Sequence, residues 1–272
     1  MSAEKPESRY RIDSGKKVRL SKWDAGETRL VSGREEAEAE LIRLREELKT
    51  LQETLYAGHK HSVLVILQAM DTGGKDGVIR HVFEGVNPQG VRVTSFKKPT
   101  QEELDHDFLW RLHWHAPGKG DIAIWNRSHY EDVLIVRVHG FVPEEQWSRR
   151  YEHIARFEKM LADEGTTILK FFLHMDRDEQ KKRLQARLQD PEKHWKFNAS
   201  DLDERKYWKD YQEAYEAMLE KTSTDHSPWF LIPANKKWYR NFAVASILVD
   251  ALKALKLKFP KPSADFSKIK IV

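Results

Sequence analysis

The residues best suited to chemistry lie in the segment MDTGGKDG, residues 70–77, which follows the apolar run VLVILQ. A phosphate-binding loop follows a buried strand, exposes several backbone N–H groups and opens a helix whose N-terminus attracts anions. The usual spelling of such a loop is G-x-x-x-x-G-K-[ST], and its four defining positions here are Ala69, Gly74, Lys75 and Asp76. The segment therefore predicts a phosphate site built from Thr72, Gly73, Gly74, Lys75, Asp76 and Gly77.

Two carboxylates in this segment, Asp71 and Asp76, predict a bound cation. Asp76 stands where the usual loop carries Ser or Thr, whose hydroxyl binds Mg²⁺. A carboxylate is also a hard oxygen ligand for Mg²⁺, and it brings more charge. An unpaired Asp71 would be repelled by nearby phosphate oxygens. We therefore expect both carboxylates to serve Mg²⁺, or Mn²⁺ in its place. Asp71 would either bind a further cation or orient a phosphate through a metal or water. The alternative is a Gly-Gly turn with scattered polar residues between a strand and a helix.

A second group of polar residues follows the apolar run DIAIWN, residues 121–126. Because ligands collect at the carboxyl ends of strands in open α/β sheets, Asn126 and Arg127 are expected beside the phosphate loop. A guanidinium group offers phosphate a planar fork of donors. Arg137 could reach the same cavity, although both arginines could instead pair with neighbouring surface acids.

The third feature is the basic segment KKRLQARLQDPEKHWK, residues 181–196. Arg183 and Arg187 are four residues apart and share one face of a helix. Pro191 is expected to break that helix. A basic helical hairpin interrupted by proline suits a lid that closes over a polyanion, and the alternative is a solvated helix pair with ordinary surface charge. The candidate phosphate ligands of this lid are Lys181, Arg183 and Arg187.

Short apolar runs separated by amphipathic stretches of helical length indicate a parallel sheet with crossover helices, and therefore an α/β fold. Strands are expected at residues 63–68, 91–96, 121–126, 167–174 and 229–234. Helices are expected at 77–85, 101–115, 144–163, 177–188, 203–221 (with Ser200 as a cap) and 236–256. The segment SHYEDVLIVRVHG, residues 128–140, is ambiguous, since its β-branched residues favour a strand but leave little room for a connection.

The N-terminal residues divide into an arm and a helix. Residues 1–31 are polar and irregular and are expected to lie over a surface as an extended arm. A helix is expected across residues 32–58, because Ser32 and Glu35 have the spacing of a capping box. Its leucine stripe covers only about two heptads, so it is expected to dock on the domain or on another subunit. The stripe consists of Leu41, Leu44, Leu48, Leu51 and Leu55.

Length and composition exclude several classes to which this protein could belong. The chain has 272 residues, 40% of them hydrophobic and 33% charged, as expected of one ordered domain. It has no cysteine, which excludes disulfides and thiolate chemistry. No apolar run approaches the roughly 18 residues that cross a bilayer, so we expect a cytoplasmic protein without membrane contact. A net charge of +4 is too weak a bias to indicate a nucleic-acid partner.

Three segments together resemble the family-2 polyphosphate kinases, most closely their class III members. They are MDTGGKDG at 70–77, NRSHYEDVLIVRVH at 126–139 and DPEKHWKFNASDLDERKYW at 190–208. The resemblance implies a thymidylate-kinase-like P-loop fold, a three-layer sandwich in which residues 1–272 form one domain with a helical lid at residues 177–210.

The resemblance also implies residue roles and substrates. Asp71, Lys75 and Asp76 would be the functional residues of the loop. Asn126 and Arg127 would match the family's second motif, and Arg137 would be a further phosphate contact. We expect Asp71, Lys75 and Arg127 to be the catalytic residues. Many relatives carry Asp at the position of Asn126. Phosphate would pass from inorganic polyphosphate to AMP or ADP, with guanine nucleotides as further candidates, in a Mg²⁺-dependent reaction.

Two other interpretations remain open from the sequence. One is an ATP-dependent nucleoside monophosphate kinase on the same fold, and the other is a polyanion-binding protein without catalysis. A terminal nucleotide phosphate is already ionised at neutral pH, so the absence of an obvious general base does not argue against a kinase. The leucine stripe and a partly apolar surface also predict a homo-oligomer.

Overall fold

Six β-strands form one sheet. In chain order they are β1 (Arg11–Ile12), β2 (Ser62–Gln68), β3 (Val91–Ser95), β4 (Ile122–Asn126), β5 (Thr166–His174) and β6 (Trp229–Pro233). Their order across the sheet is β1-β6-β5-β2-β4-β3. Strands β2 to β6 are parallel, and β1 pairs antiparallel with β6. The five predicted parallel strands are confirmed, whereas β1 was missed because two residues are too few to show a period.

We describe the protein from a computed structural model, in which residues 4–263 are described except for the side chain of Lys196. Residues 1–3 and 264–272 of the predicted domain lie outside the described residues. Within the described part the α-helices are α1 (Pro6–Tyr10), α2 (Arg34–Gly58), α3 (Lys75–Val82), α4 (Gln101–Asp105), α5 (Trp110–His113), α6 (Ile135–Val138), α7 (Glu144–Asp163), α8 (Arg177–Gln189), α9 (Ser200–Glu204), α10 (Trp208–Thr222) and α11 (Lys237–Ala254). None of these helices is both long and apolar enough to span a bilayer.

The helices cover the sheet on both faces and create two apolar cores. One core joins the sheet to α2, α3 and α11, and the other joins it to α5, α7 and α10. Every residue of β2 is buried, as expected of a central parallel strand covered on both sides. This is the three-layer sandwich predicted from the sequence.

The leucine stripe of α2 docks on the domain itself. Four of its five leucines are buried against the core that contains α11, and Leu51 is partly buried there. The predicted capping box is wrong in its register: the helix begins after Gly33, and the backbone N and Oγ of Ser32 donate to the Glu36 carboxylate at 2.6 and 2.5 Å. The acid that closes the first turn is therefore one residue further along than predicted.

Other predicted elements are interrupted by local side-chain bonds. The helix expected at 101–115 is two short helices, because the Asp107 carboxylate accepts from the Leu109 backbone N–H at 2.9 Å and competes with helix formation. The ambiguous segment 128–140 is helical, with a 3₁₀ turn at His129–Val133 followed by α6. The N-terminal arm contains α1 and β1, so it is less irregular than expected.

The predicted lid region, residues 177–210, is a chain of short helical pieces. Helix α8 ends at Gln189, a 3₁₀ helix spans Pro191–Lys196, and α9 and the 3₁₀ turn Arg205–Tyr207 lead into α10. The break at Pro191 is as expected. Ser200 is not a cap: the α9 N-cap position is Ala199, without a side-chain bond, and Asn198 Oδ1 accepts from the Ser200 backbone N–H instead.

Candidate active site

A cleft of about 1230 Å³ opens at the carboxyl ends of β2, β4 and β6. Since Leu67 of β2 lies beside Asn126 of β4 in the sheet, the loop after β2 and the residues after β4 meet at one edge. Among the described residues, ten lysines and arginines but only four aspartates and glutamates line this cleft. A concave surface with this excess of positive charge attracts strongly anionic ligands.

The loop at 71–77 has the backbone of a phosphate cradle. Gly74 is the N-cap of α3 and has φ +101°, a conformation that glycine adopts without strain. A Cβ atom at Gly74 would also displace the Arg240 guanidinium from its place beside the loop. A Cβ atom at Gly73 would collide with the methyl group of Ala69, which explains how the loop accommodates alanine at its first position.

Lys75, the first residue of α3, is buried under this loop. Its Nζ donates to the Ala69 carbonyl at 2.9 Å. Burial and the nearby Arg127 guanidinium lower the pKa of Lys75 to about 8. The lysine is therefore held against the loop. It loses its proton, and with it its charge, at a lower pH than an ordinary lysine.

The two pairs of polar residues that the sequence placed at this edge contact each other. Arg127 Nη2 donates to Asp71 Oδ1 at 2.7 Å, and Asn126 Nδ2 donates to Asp76 Oδ1 at 2.7 Å. Arg127 has φ +66°, and the carboxylates of Glu131 and Asp71 raise its pKa further. Each pair thus joins a side-chain donor that follows β4 to a carboxylate of the phosphate loop.

The lid residues divide into those in the cleft and those outside it. Arg187 lines the cleft and lies 3.6 Å from the Asp201 carboxylate. Arg183 lines it too, but its guanidinium is buried and donates to the backbone carbonyls of Thr72 and Ala234 at 3.1 and 2.6 Å. Lys181 is exposed on the same helix and lies outside the cleft lining.

Arg137 does not line the cleft, because α6 directs it towards α7. Its Nη1 donates to the Tyr151 hydroxyl at 3.1 Å, and its guanidinium lies 4.8 Å from the centroid of the Trp147 ring. In this structure, therefore, the sequence-predicted residue Arg137 is not brought together with the phosphate loop.

Several cleft residues were missed by sequence reasoning. Asp201 of α9 lies there, and burial together with the Asp71 charge raises its pKa to about 6. The segment NKKWYRN after β6 could have been found by the strand-end argument that located Asn126. Lys193 lay within the basic segment 181–196 but was not singled out, and Arg34 and Arg45 were missed because α2 was interpreted only through its apolar face. The missed basic residues are Arg34, Arg45, Lys193, Lys236, Lys237 and Arg240.

The oxygen donors of the loop fit a metal that is shared with a ligand. Among the described residues, no group of three or more acidic or histidine side chains could hold a metal ion unaided. Asp71 accepts a hydrogen bond from Arg127 through one carboxylate oxygen, Asp76 accepts one from Asn126 in the same way, and Asp76 is exposed. Mg²⁺ is usually held by one or two carboxylates, with phosphate oxygens and water completing its shell, which matches this donor set.

A parallel sheet with a glycine-lysine loop at its central strand, beside a basic cleft, defines a P-loop phosphotransferase. Residues 31–260 match the model of the Polyphosphate kinase 2 (PPK2) family. The chain belongs to this family, and the predictions of the family, the fold and a polyphosphate kinase are confirmed.

Individual relatives are similar along nearly the whole chain. The AMP/ADP-polyphosphate phosphotransferase of Meiothermus ruber is 54% identical over 97% of this chain and 99% of its own. The ADP-polyphosphate phosphotransferase of Rhodopseudomonas palustris is 45% identical over 93% and 91%. The crystal structure of polyphosphate kinase 2 from Arthrobacter aurescens TC1 superposes with a TM-score of 0.94 at 47% identity, covering 97% of this chain and 95% of that one.

Proposed function

We propose that this protein transfers phosphate from inorganic polyphosphate to AMP and to ADP, with Mg²⁺ as its metal, and so is a class III member of its family. The observation that carries the proposal is the cleft around the phosphate loop, whose basic side chains come from α2 and α11 as well as from the lid. Helices α2 and α11 carry Arg45 and Lys237, and the lid carries Arg187. Such a distribution suits two polyanions that must meet at the loop.

The chain's own residues would position these anions and cancel their repulsion. The backbone N–H groups at the start of α3 bind phosphate oxygens, and Lys75 exchanges the Ala69 carbonyl for one of them. Arg127 contacts the transferring group, where its planar fork stabilises the charge of the transition state. Asp71 and Asp76 would hold Mg²⁺, which supplies additional positive charge to the phosphates. No base is needed, since the acceptor phosphate is already ionised.

Arg183 has a different role in this scheme. Because it is buried and its donors contact loop carbonyls, it holds the loop in shape and links it to α8. The lid groups that face the cleft include Arg187, Lys193 and Asp201. Arg137, Lys181, the homo-oligomer and the cytoplasmic location stay predictions from the sequence.

The test is an assay with AMP, ADP, GMP and GDP as separate acceptors, long-chain polyphosphate as the sole donor, and Mg²⁺. Nucleotides are separated by ion exchange, and ATP formation from both AMP and ADP is expected. Lys75→Ala and chelation of the metal serve as controls and should abolish transfer. If polyphosphate gives no transfer, transfer from ATP to AMP in a parallel assay would instead establish a nucleoside monophosphate kinase, and polyphosphate binding without transfer from either donor would establish a polyanion-binding protein.

A further inference from the structure

A fully buried charged network lies behind Arg127, on the face of the sheet covered by α7 and α10. Lys170 of β5 donates to the Glu158 carboxylate of α7 at 2.6 Å and to the Thr222 carbonyl at the end of α10 at 2.7 Å. Both charged side chains have no exposed surface. Burial alone would raise the pKa of Glu158, but the Lys170 ammonium lowers it below its usual range, so the carboxylate stays ionised.

Tyr130 connects this network to the active-site turn. Its hydroxyl donates to Glu158 Oε1 at 2.7 Å and accepts from Lys170 Nζ at 2.9 Å. Its ring is also buried and lies 4.8 Å from that of Trp229. The tyrosine therefore makes two charge-assisted hydrogen bonds at one atom, which are stronger than neutral ones.

The turn that Tyr130 anchors is the one that carries Arg127. Arg127 begins it with a left-handed backbone that a residue other than glycine retains only when its surroundings impose it. The backbone N–H of Tyr130 donates to Ser128 Oγ at 3.2 Å, and this hydrogen bond closes the turn between Arg127 and Glu131. Glu131, the next residue, is the principal carboxylate acting on Arg127. Tyr130 thus points into the core from a position between Arg127, which lines the cleft, and Glu131, the carboxylate that acts on Arg127.

We propose that Tyr130 is a positioning residue for phosphoryl transfer: its hydroxyl, held by Glu158 and Lys170, fixes the turn that presents Arg127 to the cleft. The inference rests on the role of Arg127 in the proposed function. Because a small displacement of a transition-state contact costs rate more than binding, the loss should appear mainly in kcat.

The experiment compares Tyr130→Phe with a matched control from the same network. Ser227→Ala removes a hydrogen bond to the same carboxylate, since Ser227 Oγ donates to Glu158 Oε2 at 2.8 Å, but it leaves the Tyr130 hydroxyl in place. We expect Tyr130→Phe to lower kcat for polyphosphate-dependent ATP formation about tenfold with little change in KM. Ser227→Ala should keep the wild-type kcat. An unchanged kcat in Tyr130→Phe, or an equal loss in both variants, would overturn the proposal.

A double-mutant cycle shows whether the effect passes through Arg127. In an Arg127→Ala background, Tyr130→Phe should cause no further loss of kcat; an undiminished tenfold loss would overturn the inference while leaving the proposed function intact. A wild-type kcat for Arg127→Ala would instead overturn the proposed role of Arg127. Circular dichroism verifies folding at the assay temperature. Should Tyr130→Phe be unfolded, the double variant Glu158→Gln/Lys170→Met replaces it: it removes both charges of the buried pair together, reduces the charge-assisted bonds of the Tyr130 hydroxyl to a single neutral one, and should lose kcat with the same dependence on Arg127.

Discussion

At the scale of single residues, the unusual feature of the loop is Asp76 in the place of a hydroxyl. If Asp76 holds Mg²⁺, then Asp76→Asn should lower transfer at limiting Mg²⁺ by about tenfold or more, because an amide is a weaker and neutral ligand. The unfolding midpoint should change little, since the side chain is exposed. Asp105→Asn, at an acid outside the cleft, is the matched control. Near wild-type transfer across a Mg²⁺ titration would refute a metal-binding role.

A second prediction for a single residue concerns Lys75 and the pH dependence of kcat/KM. Its pKa in the free protein is lowered to about 8, and lysine is charged only below its pKa. The value of kcat/KM reports the free enzyme, so for polyphosphate it should fall by about tenfold per pH unit above pH 8. The rate profile from pH 6.5 to 9.5 measures it, with Lys75→Arg, whose guanidinium stays charged throughout this range, as the control that lacks this limb. A constant kcat/KM through pH 9 would show that Lys75 is not the titrating group.

At the scale of elements, α8 and the phosphate loop are joined through Arg183. Removing this buried guanidinium in Arg183→Ala leaves loop carbonyls without donors and should lower the free energy of unfolding by about 3 kcal/mol. Lys181→Ala, on the exposed face of the same helix, should be neutral. Urea unfolding of both variants tests this, and equal stabilities would mean that the carbonyl contacts do not join the two elements.

The longer elements could be predicted because their hydrophobic period is a local property of the chain. The boundaries of α7 were predicted at both ends, and all five long strands were located. The break at Pro191 could also be predicted, but the break between α4 and α5 could not, since it depends on a single bond from the Leu109 N–H to Asp107. The strand β1 exists only because β6 offers an edge to pair with, and nothing within two residues indicates that.

The residues of the candidate site also divide into those with a local sequence signal and those whose position depends on packing between distant elements. Asp71 to Gly77 and Arg127 were predicted because a loop motif and strand ends are local signals that also fix a place in the fold. The direction of Arg137 was not predictable, because it depends on how the short helix α6 turns against α7. Arg240 approaches Gly74 from a helix far along the chain, and no sequence pattern records that contact.

At the scale of the whole molecule, the account makes one central claim: the cleft brings two polyanions together at a metal held by the acids of the phosphate loop. The direct measurement is a crystal structure with AMP, a non-transferable polyphosphate analogue and Mn²⁺ in place of Mg²⁺. The account predicts an anomalous peak at coordinating distance from Asp71 and Asp76, with phosphates on both sides of the loop. No peak there, with Asp71 still bonded to Arg127 and Asp76 to Asn126, would contradict it.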